Sequence, residues 1–143
     1  MTLLTFDLEL VRKHGEAELV AQFRRLDPML QAVFFYAAAY AFMRFGKPLL
    51  ITSIERENAG VHSYHRGLDY DVDQYARYGG LLTSEALMLH DEIERVFIYD
   101  PARPTMRVCF FGTDDPAGKH WGHAHLQVCH SRRTRQRGGE LYA

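Results

Sequence analysis

The chain has almost no surplus of charge. Seventeen lysines and arginines stand against 18 aspartates and glutamates in 143 residues, a formal net charge of −1. That balance argues against a general nucleic-acid or anionic-membrane binder, which needs a strongly basic surface. Cysteine is scarce. Only Cys109 and Cys129 occur, without CxxC spacing, so neither a disulfide framework nor a thiolate metal site is indicated. Both sit among apolar residues and are expected as small core residues of a chain that folds in a reducing compartment. Long apolar runs are lacking too. The most apolar stretch, residues 29–43, is 15 residues long, short for a membrane span and suited to a buried helix. The opening "MTLLTFDLELVRKHGE" has acids early and no sustained apolar core, which is not the pattern of a signal peptide. Internal repeats, low-complexity tracts and linkers are absent.

What remains is a composition 47% apolar and 24% charged, that of a globular chain of one domain. Residues 16–26 are charged and weakly helical. Asp27 and Pro28 are suited to cap and start a helix that runs to about Phe45 and stops at Gly46. It is apolar nearly all round and is expected to be the central buried helix. "LLITSIE" (49–55) reads as a strand, and "LDYDV" (68–72) as a short one with Asp69 and Asp71 on one face. After Gly79-Gly80, Thr83 or Ser84 is expected to cap a helix to about Phe97. Its apolar stripe is Leu82, Ala86, Leu89, Ile93 and Val96. "MRVCFFG" (106–112) and "HAHLQV" (123–128) read as paired strands around a turn at "DDPAG" (114–118). Residues 131–143, with four arginines, are expected to be a solvated, mobile basic end. This order predicts an α+β fold with a mainly antiparallel sheet and flanking helices.

Titratable chemistry is concentrated in two places. "GVHSYHRGLDYDV" (60–72) holds two histidines, an arginine and two aspartates, and six of the eight histidines lie there or in "KHWGHAHLQVCH" (119–130). On a strand, His123 and His125 project to the same face. Gly60 and Gly67 let the backbone turn tightly near His62 and Asp69. Two imidazoles and a carboxylate make a sensible zinc ligand set that leaves a fourth position for water. Such a zinc acidifies its water to a pKa near 7.

His62-x6-Asp69 followed by His123-x-His125 resembles the signature of zinc D-alanyl-D-alanine carboxypeptidases, phage L-alanyl-D-glutamate endolysins and the related hedgehog signalling fold. "ITSIER" (51–56) is similar to the family's strand ending in Ser-x-x-Arg, and "RGLD" (66–69) to its Arg-Ala-x-Asp run. "HAHLQV" is similar to its closing strand. The similarity spans residues 49 to 129. It implies one zinc peptidase-like domain over residues 1–143, with Zn²⁺ on His62, Asp69 and His125. It also implies a substrate-facing Arg56, and a His123 that faces the reacting water or oxyanion and does not bind the metal. The implied activity is hydrolysis of amide bonds in peptidoglycan stem peptides, whose carboxylates Arg56 and Arg66 suit. Neither nucleic acid nor membrane is an expected partner. A chain without a leader would be made in the cytoplasm and reach the wall on release, as in phage.

Many relatives carry an acid three residues before the last histidine ligand, as general base. Here that position is Gly122. Either His123 takes part of the role, or Asp114 or Asp115 supplies it, or the domain binds zinc without catalysis. The runner-up carboxylate is Asp71, with His65 to Asp71 one residue short of the family spacing. His65 is otherwise a solvated loop histidine or a group beside the ligands. His120 and Trp121 are candidates for the cleft wall. His14, His90 and His130 are expected to be structural or superficial.

Overall fold

The computed structural model describes residues 3–56, 60–62, 64–73, 80–112, 120–130 and 132–138. The chain opens with strand β1 (Thr5–Phe6) and helices α1 (Leu8–His14), α2 (Glu16–Arg24) and α3 (Pro28–Phe45). Strand β2 (Leu50–Ser53), a single 3₁₀ turn (Gly60–His62) and strand β3 (Gly67–Asp71) follow. Helix α4 (Thr83–Val96), strands β4 (Phe97–Ile98), β5 (Cys109–Gly112), β6 (His120–Gln127) and β7 (Arg135–Gln136) complete it. The five-stranded sheet has the order β1-β2-β3-β6-β5. Only β1 and β2 are parallel, and the other pairs are antiparallel. The α+β class with a mostly antiparallel sheet is therefore as the sequence predicts.

Helix α3 begins and ends where its residues dictate. Asp27 Oδ1 accepts from the Met29 amide at 2.8 Å, Pro28 occupies the first turn, and Gly46 closes it at φ 68°, a left-handed position that glycine adopts without strain. Its burial is narrower than expected. Leu30, Val33, Phe34, Ala37, Ala38 and Ala41 form one buried stripe, while Met43 is 84% exposed and Phe42 43%. A helix packed on one side of a sheet buries one face however apolar the other is. Among the described residues no single helix is both long and apolar enough to cross a membrane; α2 and α3 are so only together, and they are bent by 118°.

Helix α4 buries Ala86, Leu89, Ile93 and Val96 as its stripe predicts. Its cap differs. Thr83 is already helical, and the Glu85 carboxylate reaches back to accept from the Leu82 amide at 2.9 Å. Lys47 donates to the same oxygen at 2.7 Å. The "DDPAG" turn lies outside the described residues. Cys109 and Cys129 are buried and form no disulfide, as expected.

Within the basic end expected over residues 131–143, residues 132–138 make specific contacts. β7 pairs with β4. Thr134, 1% exposed, donates to the Tyr99 carbonyl and accepts from the Cys129 amide, both at 2.7 Å. Arg133 reaches the buried Asp100 carboxylate at 3.4 Å. Polar sequence hid these contacts because they are hydrogen bonds and not apolar burial.

Glu94 joins α4 to the sheet. Its Oε1 accepts from the Val108 and Cys109 amides, each at 2.8 Å. Burial raises its carboxyl pKa, and those two amides offset part of the rise. Glu94→Ala leaves two buried donors unmet, at about 1–3 kcal/mol each, so urea unfolding should show a loss of that order. Glu94→Gln keeps the acceptor and removes the charge. A carboxyl pKa raised by folding favours the folded state below its unfolded value and loses that advantage as pH rises through the folded one. Relative to wild type, Glu94→Gln should therefore gain stability as pH rises from acid to neutral. A gap that is constant with pH would contradict this account.

Candidate metal centre

β3 and β6 build the site from strand alternation. Leu68, Tyr70, Ala124 and Leu126 turn into the core and are fully buried. The alternate positions share the other face, with Asp69 directly opposite His125, Asp71 opposite His123 and Gly67 opposite Gln127. Ser53 of β2 lies opposite Asp69 on its other side. The 3₁₀ turn brings His62 over this face.

His62, Asp69 and His125 converge. One nitrogen from each ring and one Asp69 oxygen lie within 4.8 Å of one another, a group able to hold a metal ion. The ring centroids of His62 and His125 are 5.0 Å apart. His62 is 2% exposed and Asp69 5%. His62 Nδ1 lies 2.8 Å from the Ile54 carbonyl. A carbonyl only accepts, so Nδ1 carries the hydrogen and Nε2 the lone pair. That Nε2 is buried without a well-formed hydrogen bond and faces Asp69 Oδ1 at 3.4 Å. His125 Nδ1 approaches the same oxygen at 2.7 Å. Two ring nitrogens and a carboxylate oxygen turned toward one point are a donor set that a cation satisfies.

Burial pushes the Asp69 carboxyl up, but the two imidazoles beside it, His125 and then His62, outweigh it and hold the group well below the usual carboxylate range. The anion is thus the form the site favours. Arg56 Nη2 stands 3.8 Å from Asp69 Oδ2, with about half of its side chain in solvent. Phe110, opposite His125 on β5, places its ring 6.1 Å from the imidazole and walls one side.

The other sequence candidates fall in different places. His123 is on the same face as His125, two residues along β6 and half-buried, outside the three-residue group. Asp71 sits opposite His123, its carboxyl raised by burial and then by Asp73 and Asp7; it is not in the metal group. His65 takes a left-handed conformation at φ 59°, and its ring pairs with Glu55 at 3.5 Å. Its carbonyl accepts from the Asp27 amide at 2.8 Å, tying this loop to the start of α3. Arg66 lies over the Tyr64 ring at 5.6 Å. Gly122 is exposed, and a Cβ there would meet nothing within 4 Å. The side chains of His120 and Trp121 lie outside the described residues, as do Asp114 and Asp115 entirely.

Sequence reading missed Gln127. Its Oε1 is 3.3 Å from His125 Nε2. The signal was available, since Gln127 is two positions beyond His125 and shares its face. Comparison with protein-family models, curated proteins and solved structures gives no match.

Proposed function

We propose that the chain is a zinc-dependent metallopeptidase that hydrolyses amide bonds in peptidoglycan stem peptides. The observation that carries the metal half of this reading is the convergence of His62 Nε2, Asp69 Oδ1 and His125 Nδ1. Two nitrogens and one carboxylate oxygen fit a catalytic zinc, which keeps a position for water. Zinc so held supplies Lewis-acid polarisation of a scissile carbonyl and an acidified water. Arg56, beside the ligand carboxylate and partly in solvent, is placed to hold a substrate carboxylate or a developing oxyanion. His123 is the chain's own candidate to take and return a proton. The substrate class rests on the resemblance of residues 49 to 129 to the carboxypeptidase and endolysin group.

Gly122 favours a second reading, a non-catalytic metal-binding interaction domain such as a virion component. Its open surroundings supply no carboxylate at the position where many relatives place their general base.

Purified peptidoglycan separates these readings. The zinc-loaded protein is expected to release stem-peptide fragments, read by mass spectrometry, with glycan strands intact. Chelator should stop the reaction and zinc restore it. Free reducing ends with intact stems would make the protein a glycosidase. No product from several wall chemotypes, with zinc fully bound, would establish the non-catalytic domain.

A further inference from the structure

We infer that Gln127 is a positioning residue of the metal centre, holding His125 in the one tautomer that turns its Nδ1 lone pair toward Asp69 and the metal. The inference rests on the metal-centre reading above and extends it to a residue outside the ligand set.

The argument follows the hydrogens. Gln127 is 8% exposed, so its amide needs partners within the protein. Its Nε2 donates to the Arg107 carbonyl at 3.3 Å. That carbonyl can only accept, which fixes the amide with nitrogen toward Arg107 and oxygen toward the imidazole. Gln127 Oε1 then faces His125 Nε2 at 3.3 Å. An amide oxygen also only accepts, so Nε2 must carry the hydrogen. In a metal-bound ring this leaves the lone pair for the metal on Nδ1, the edge of the ring that faces Asp69 Oδ1 at 2.7 Å. The chain of polarity runs from the Arg107 backbone through Gln127 to the ring nitrogen that would bind the metal.

Gly67 makes room for this arrangement. It lies opposite Gln127 across the strand pair. A Cβ there would stand 2.6 Å from Val61 Cγ2 and 3.0 Å from His125 Cε1. Without it the ring lies close against β3 and spans from Asp69 to Gln127. His62 is fixed by a different device, the Ile54 carbonyl on its Nδ1. The two imidazoles are therefore set to coordinate through different nitrogens, His62 by Nε2 and His125 by Nδ1. Partners of this kind are typically worth about 10–100-fold in metal affinity.

The test uses the full chain as wild type, Gln127→Leu and Gln127→Glu. Zinc affinity is measured by competition with a chromophoric chelator. The histidine ring nitrogens of the zinc-loaded protein are read by long-range ¹H–¹⁵N correlation. Gln127→Leu fills the space but offers no acceptor, and should bind zinc about 10–100-fold more weakly. Gln127→Glu keeps an oxygen for Nε2–H but loses the donor to the Arg107 carbonyl, and should bind zinc more tightly than Gln127→Leu. The spectrum of the wild type should show His125 coordinated at Nδ1 and protonated at Nε2. Equal affinity of Gln127→Leu and wild type, or His125 coordinated through Nε2, overturns the proposal. So does a Gln127→Glu variant as weak as Gln127→Leu, which would mark Gln127 as a general packing residue. A wild type that binds no zinc overturns the metal-centre reading itself, a result distinct from all of these.

Discussion

His125→Ala should abolish tight zinc binding, with a loss larger than the roughly 10–100-fold that an outer partner is worth. The variant removes one of three converging donors and leaves His62 Nε2 and Asp69 as a two-point site. It also removes the 2.7 Å contact that holds the Asp69 carboxylate. His62→Ala and Asp69→Ala should do the same, because among the described residues no fourth donor joins the group. Asp71, the spacing alternative, sits opposite His123 and not opposite His125. A thermal melt reads the effect without any assay of activity. A ligand present at about a thousand times its Kd stabilises the folded state by roughly 4 kcal/mol, so zinc should raise the melting temperature of the wild type and leave all three variants unmoved. Retention of full zinc occupancy by His125→Ala would show that the ligands are misassigned.

His123→Ala should keep the metal and lose about 10²–10⁴-fold in turnover on stem peptides, the usual worth of a proton-transfer or oxyanion group. Strand alternation puts His123 on the ligand face, one pair further along the β3–β6 ladder, and Gly122 leaves no carboxylate in its neighbourhood on that strand. Two readouts together decide its role. Loss of zinc from His123→Ala would make it a ligand. Unchanged turnover with zinc bound would assign proton transfer to an acid on another loop.

The sequence was legible wherever a local rule acts. Asp27-Pro28 and Gly46 bound α3 because capping and left-handed glycine are local chemistry. The alternation of β3 and β6 placed Asp69 with Asp71 and His123 with His125 before any pairing was known. What remained hidden depends on partners distant in sequence. α1 has no buried residue, so no apolar stripe betrays it. The polar segment 132–138 is held by Thr134 and Arg133, whose partners lie 33 to 35 residues earlier. The preference for Asp69 over Asp71 rested on the resemblance, and the register adds the physical reason by setting Asp69 against His125. Alternation puts Gln127 on the His125 face, but the orientation of its amide needed the contact with Arg107, 20 residues away. An apolar count alone made α3 a buried helix on all sides. The sheet covers only one side of it, and Met43 on the other lies in solvent.

The central claim is an open zinc centre made of His62, Asp69 and His125. X-ray absorption at the zinc edge, on protein carrying one equivalent of zinc, tests it most directly. Two imidazole nitrogens at about 2.0–2.1 Å, with oxygen from one carboxylate and from water at about 2.0–2.2 Å, is the result this account predicts. Sulfur at about 2.3 Å, a third imidazole or no bound zinc would contradict it.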